Sequence, residues 1–360
     1  MKRTAVLALA AAALATSLTS CSGTATTSTA PAGSAASTTA HDVTFLVPKT
    51  SLRYVAYDSP YFSVELTAKC PTCTVHVEAA EDQATQNAQG EKAIQAGTDA
   101  IVLVAIDGAS AGGLLTSAHS ADVPVVAYDR LVKGAPLDYY VSFDGNAVGT
   151  LGGQAILDAV GKDTAGGAIV MLQGDPGDNN AGLFAAGAHS VLDGKVDIAG
   201  EHYVAQWSSA NAKTEMEKAL GELHGRRLLG VYTAYDGLAA GALEALDEAG
   251  IHGVPITGQD AETAALQRIM GGTQTMTVFK DLPQQARTTA DLVADVLAGR
   301  TPKTTGTTDN GAGAVPTVLL QPQAVGAAQI SSVVLGADFT TVDALCAGAA
   351  APACATAGIS

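Results

Sequence analysis

VPVVAYDRLVKGAPLDYYVSFD, residues 123–144, shows the architecture in miniature. An apolar, β-branched run ends on Asp129 and Arg130, and a second run, YYVS, follows after a short polar loop. Strands of this near-continuous apolar kind are buried on both faces, as in parallel sheets covered by helices. Asp accepts hydrogen bonds and Arg only donates them. A pair of the two at a strand end is what a small polyhydroxyl ligand needs.

Outward from this stretch the same alternation fills the chain from residue 42. Strands are expected at 43–47, 74–78, 100–104, 123–127 and 139–142, then at 168–171, 198–203, 229–232, 255–258 and 275–278. Helical patterns lie at 83–95, 148–160, 180–192, 210–220, 238–248 and 283–297. Strands separated by helical stretches of about 10–15 residues imply parallel sheets with helices on both faces. About 320 residues of this exceed one sheet, so the expected fold class is α/β, with two doubly wound, Rossmann-like lobes. Ligands in such sheets sit beyond the carboxyl ends of the strands. The groups standing there are Lys49, Arg53, Asp107, Asp129, Arg130, Asp144, Asp175 through Asn180, Trp207, Tyr235, Asp236, Gln259, Asp260, Phe279 and Lys280.

The amino end reads as an export signal over 1–20: Lys2 and Arg3, an apolar stretch at 5–15, then Leu18-Thr19-Ser20-Cys21. The apolar part is short for a membrane span. Cys21 stands where a bacterial lipobox places its lipidated cysteine; ordinary cleavage nearby, giving a soluble secreted protein, is the alternative. Residues 21–40 are an uncharged Ser/Thr/Gly/Ala tether. The expected location is extracytoplasmic, held at the cell membrane by a lipid on Cys21.

The chain carries a formal charge of −16, and loss of Lys2 and Arg3 with the signal leaves −18. That balance argues against nucleic acid, which demands clustered Lys and Arg, and against electrostatic binding to anionic lipid. Beyond Cys21 the cysteines fall into two local pairs, Cys70/Cys73 and Cys346/Cys354. In an oxidising compartment they read as two short disulfide loops. A zinc site would need two further ligands, and neither a second CxxC nor an HxxxH is present. A redox CxxC begins a helix after a strand, whereas this one follows a helical stretch.

An enzyme reading rests on Gly108-Ala109-Ser110-Ala111-Gly112, a G-x-S-x-G between strand and helix. The strand ends at Ile106, too early to deliver Ser110 as a nucleophile, so no catalysis is expected. No metal-ligand spacing or phosphate loop appears, and no cofactor is implied.

Four segments in one order carry a resemblance: VVAYDRLV with LDYYVSFDGNAVG, GDPGDNNAGLFAAG, VAQWSSANA, and ITGQDAETAALQRIMGGTQTMTVFK. Together they closely resemble the D-xylose-binding proteins of bacterial sugar ABC importers, within the ribose- and galactose-binding class of periplasmic binding proteins. The similarity spans about residues 43 to 325. It implies a type I periplasmic binding protein, two lobes closing on one monosaccharide about three crossovers near 142–144, 277–281 and 319–323. The first lobe would be 42–142 with 281–319, the second 143–280 with 320–345, and 346–360 a tail. It further implies sugar contacts from Arg53, from Asp129 with Arg130, from Asn179 and Asn180, from stacking Trp207, from Asp260, and from Lys280 at the hinge. The chain departs from the pattern twice. Tyr57 stands where the family has Trp four residues after the Arg, and Tyr235 replaces an Asn beside Asp236; all three join the candidate ligand residues. The resemblance implies a monomer that delivers a monosaccharide, D-xylose first, to an ABC permease, with another sugar or small polar ligand, or a role as sugar sensor for a membrane receptor, as alternatives. A sugar-responsive repressor would share the fold but needs a DNA-binding domain where this chain has its signal and tether.

Each of these residues also has a plain structural reading. Asp129 and Arg130 would be a strand-end ion pair, Trp207 and Tyr235 packing residues, Lys280 a solvated lysine, and Asn179 with Asn180 a helix cap.

Overall fold

The computed structural model describes residues 39–49, 53–337 and 339–359. The export signal, Cys21 and all but the last two tether residues lie outside them.

The chain opens with β1 (His41–Pro48), α1 (Ser59–Lys69), β2 (Cys73–Ala80), α2 (Gln83–Ala96), β3 (Ala100–Leu103), α3 (Gly112–Ser120), β4 (Val125–Tyr128) and β5 (Tyr139–Phe143). It then builds a second layer set: α4 (Gly145–Val160), β6 (Gly167–Gln173), α5 (Asn179–Leu192), β7 (Ile198–Tyr203), α6 (Ser209–Glu222), β8 (Arg227–Thr233), α7 (Asp236–Glu248), α8 (Thr263–Met270) and β9 (Thr277–Phe279). It returns to the first sheet with α9 (Leu282–Leu297), β10 (Gly306–Asp309) and β11 (Ala314–Leu320). It ends beside the second with β12 (Gln323–Val325), α10 (Val342–Leu345) and α11 (Ala351–Ala357). The chain thus passes between the two lobes after β5, after β9 and after β11.

The first sheet has the order β10-β11-β5-β4-β3-β1-β2, parallel throughout except for the β10–β11 hairpin. Alternation of side chains across its strands explains its two cores. Phe45, Val102, Tyr128 and Val141 face α1 and α9, meeting Phe62, Leu66, Ala286 and Val293. Leu46, Ile101, Leu103 and Val125 face the other way, onto Leu114, Leu115 and Ala118 of α3.

The second lobe holds β7-β6-β8 in parallel, with α4 and α5 on one face and α6 and α7 on the other. One expected strand is not formed. Residues 255–258 run alongside β8 but make only the single bridge Val231–Ile256. Side chains take over the ladder there: the Thr233 N–H donates to the Thr257 hydroxyl (3.2 Å), not to a main-chain carbonyl. The other expected strands are present. The helical stretch expected ahead of Cys70 is α1; α8, α10, α11 and the π-helical turn Tyr54–Asp58 fall outside the expected patterns, and π-helical turns recur at functional sites.

The last residues are core. Leu345, Cys354 and Ile359 are buried with Leu266, Ile269 and Phe279, so the stretch set apart as a tail packs against α8. Both cysteine pairs are bonded, Cys70–Cys73 and Cys346–Cys354. Ser110, the enzyme candidate, donates to Asp107 (2.6 Å) within its own exposed turn.

Helices α4 and α5 approach backbone to backbone. A Cβ at Gly149 would sit 1.9 Å from the Phe184 carbonyl oxygen, and one at Gly187 would sit 2.1 Å from that of Asn146. Gly149→Val should lower unfolding free energy by about 1–3 kcal/mol through overpacking, read as a fall in urea midpoint. A variant as stable as the parent would show that the helices do not pack this closely.

Candidate functional site

The first-lobe side of the cleft is organised by Asp129. It follows β4 in the left-handed region, φ 63°, which turns its carboxylate away from the strand it ends. Its main-chain oxygen accepts from Tyr140 (3.0 Å) and Ser142 (2.8 Å). Its carboxylate accepts from the Tyr54 hydroxyl (2.7 Å) and Arg53 Nη2 (3.3 Å), with Lys280 Nζ 3.6 Å away. Burial alone would push this carboxyl up. Arg53, Lys280, the Tyr54 hydroxyl and Arg130 outweigh it and hold the group well below the usual range.

Arg53 is itself buried and divided among acids. Its Nε lies 3.0 Å from Asp58, whose other oxygen accepts from Tyr128 (2.6 Å). Its Nη2 also donates to Gln285 (3.2 Å), and its Nη1 reaches Asp260 at 3.4 Å. Burial raises the Asp58 carboxyl, against the pull of Arg53 and Tyr128. Arg130 takes a separate partner, Asp178, with Nε 2.8 Å from Oδ2. That contact is an ion pair in which the N–H is not aimed at the oxygen, since Nε makes no hydrogen bond. Both guanidinium carbons lie close to the Tyr54 ring centroid, at 5.0 and 5.4 Å.

From the second lobe come Asp260, Lys280, Asn180 and Trp207. Asp260 and Ala261 are both left-handed, φ 90° and 51°. Lys280 is only 3 % exposed and pairs with Asp260 at 3.1 Å, which rules out the solvated-lysine reading. The cap of α5 is Asp178, which accepts from the Asn180 N–H (2.9 Å), not Asn179 or Asn180; Asn180, in the first turn, donates to the main-chain oxygen of Asp129 (3.1 Å). Trp207, the one Trp of the chain, has φ 53° beside Gln206 at 61°. Its indole lies over Gly174, where a Cβ would fall 1.9 Å from Cη2. Phe184 and Tyr235 stand edge-on to it at 6.3 and 6.2 Å. The indole N–H is buried and has no hydrogen-bond partner among the described residues. Strained backbone and an orphaned buried donor gathered in one place mark a ligand site.

Arg53, Asp129, Arg130, Asn180, Trp207, Tyr235, Asp260 and Lys280 therefore share one cleft, whose interior and mouth hold about 440 Å³ of empty space. Three other candidates are placed elsewhere. Tyr57 stacks on Phe339, centroids 5.7 Å apart. The Asn179 side-chain oxygen Oδ1 is occupied by the Leu131 N–H at 2.7 Å. Asp236 is fully buried and accepts from Gln274 (2.8 Å), Thr277 (3.0 Å) and the Glu262 N–H (3.0 Å). Burial pushes its carboxyl up to about 8. It supports the turn bearing Asp260 from behind. Tyr235 donates its hydroxyl to Glu262. Sequence reasoning missed three lining residues: Tyr54, Phe184 and Gln206. Phe184 had a readable signal, lying four residues after Asn180 on the same face of α5.

The cleft offers paired acids and bases, an aromatic wall and few free hydrogen-bonding groups. Such groups exchange partners for ligand hydroxyls through charge-assisted bonds. Among the described residues no cluster of His, Cys, Asp or Glu is arranged for a metal ion.

Comparison with known proteins agrees with this arrangement. A family model for the periplasmic binding protein domain matches residues 44–301, and the chain belongs to that family, one of binding proteins rather than enzymes. It is 36% identical over 264 residues to the D-xylose-binding periplasmic protein of Escherichia coli (strain K12), covering 72% of this chain and 78% of that one. It is 37% identical over 285 residues to a multiple sugar-binding periplasmic protein of Azospirillum brasilense, covering 73% and 80%. Among solved structures, a Clostridium phytofermentans ABC transporter solute-binding protein with bound β-D-glucose superposes with a TM-score of 0.78 at 29% identity, over 84% of this chain and 99% of that one.

Breaking a buried ion pair by removing one partner costs about 3–5 kcal/mol, so Asp129→Asn should be destabilised by that order at pH 7. A carboxyl with a depressed folded pKa stabilises fully above its unfolded value, ~3.9, and loses this as pH falls further. The gap between parent and variant should therefore narrow below about pH 4. Urea unfolding at a series of pH values measures it; a gap constant with pH would remove Asp129 as an ionised partner.

Proposed function

We propose that this protein is the extracytoplasmic binding component of a sugar ABC importer, capturing one monosaccharide between its lobes and presenting it to a permease. The observation that carries the reading is a set of charged pairs split across the cleft beside the chain's one Trp: Arg130 with Asp178, Arg53 with Asp260, and Asp129 with Lys280. A pyranose presents hydroxyls at its rim and C–H patches on its faces. Arg53, Asp129, Arg130, Asn180, Asp260 and Lys280 would serve the rim. Trp207 would cover a face and offer its unpartnered N–H. Tyr57, Asn179 and Asp236 would act as supports.

The mechanism is closure on the ligand. The same groups that bridge the lobes here would exchange those bridges for sugar hydroxyls, so contacts from both sides favour the closed form. Relatives named for D-xylose and for multiple sugars support a pentose as the first candidate. A different sugar is the second reading, favoured by Tyr235 in the wall of the cleft. The lipobox-like Cys21 and the tether after it support a lipid anchor that would keep the protein beside its permease.

With a single Trp in the cleft, ligand binding should change intrinsic fluorescence. Titration of the mature chain with D-xylose, L-arabinose, D-ribose, D-glucose and D-galactose should give tightest binding for D-xylose. Arg130→Ala should weaken it by roughly 10- to 100-fold, the loss of a charged hydrogen-bonding partner. Silence toward every sugar would falsify the reading.

A further inference from the structure

A second hollow, whose interior and mouth together hold about 720 Å³ of empty space, lies beside the cleft, and Arg53, Tyr235 and Asp260 wall both spaces. Its floor includes Tyr57 stacked on Phe339, and its polar side includes Glu262 and Thr263. An aromatic floor with a few polar groups along one side is the usual make-up of a small-molecule site. Arg53 and Asp260 form the polar part of the partition between the two spaces. Among the described residues Arg53 Nη1 makes one hydrogen bond, the 3.4 Å contact to Asp260, while Nε and Nη2 hold the shorter ones. A bridging ether oxygen, which accepts and cannot donate, suits a guanidinium nitrogen with a proton to spare.

We propose that the protein binds a neutral disaccharide as well, with one ring in the central cleft, the glycosidic oxygen at Arg53 Nη1, and the second ring over Tyr57 and Phe339. A pyranose C–H face matches an aromatic floor. Neutrality follows from charge. Asp260 and Glu262 face this space against the one guanidinium, and an anionic second residue would meet two carboxylates. This proposal rests on the cleft being a sugar site, and the test separates the two.

Calorimetric titration of the mature protein would compare D-xylose with xylobiose and D-glucose with cellobiose. At least one disaccharide should bind within about tenfold of its monosaccharide. Thr263→Trp, which fills the second cavity, should weaken that disaccharide by about tenfold or more and leave the monosaccharide within about twofold. Phe339→Ala, which removes the floor, should act in the same direction and guards against misfolding of the first variant. Monosaccharide binding without any disaccharide binding overturns the proposal alone, as does a disaccharide indifferent to both variants. Absence of all sugar binding removes the sugar site and this extension together.

Discussion

A single buried guanidinium, that of Arg53, bonds to Asp58 and Asp129 on its own side of the cleft and reaches Asp260 on the other. A charge taken out of water is tolerable only when paired and hydrogen-bonded. This requirement fixes much of what surrounds it. Tyr128 and Tyr54 donate to Asp58 and Asp129, so the acids stay placed. Gln285 of α9 closes the remaining side and also donates to the Val141 carbonyl. The network ties α9 to the end of β5, although nearly 140 residues of the second lobe lie between them in the chain.

The second lobe meets this network with parts that are rigid for reasons of their own. The Asp260 turn is held by Asp236, which is bonded to Gln274, Thr277 and the Glu262 amide. Gly258 has no side chain because a Cβ there would lie 2.0 Å from Asp236 Oδ1. The Trp207 indole is seated over Gly174. Position is thus set behind the cleft, by groups that never face it.

The alternation of strand and helix was legible because parallel strands buried on both faces leave long apolar runs, and the YDR, GQD and VFK segments stood at their ends. What could not be read was orientation. Asp236 and Asp260 look alike in sequence, but one is walled in and the other faces the cleft. Asn179 and Asn180 are adjacent, yet helical geometry turns one to Leu131 and the other to Asp129. Tyr57 and Tyr235, the two departures from the family pattern, both wall the second cavity. The strand expected at 255–258 failed because a threonine hydroxyl intercepts the ladder, a tertiary detail that periodicity does not encode.

The three passages between lobes have a consequence for the order in which the molecule matures. On the side of β5 away from β4 the neighbouring strand is β11, so the first sheet is incomplete until the chain has been made to about Leu320. Contacts between residues so far apart in sequence form slowly, because loop closure comes before any gain. A nascent chain with this connectivity remains open while most of it is still being synthesised. An unfolded chain passes a translocation channel more readily than a folded one, so late completion of the first lobe would suit the export that the signal-like residues 1–20 imply.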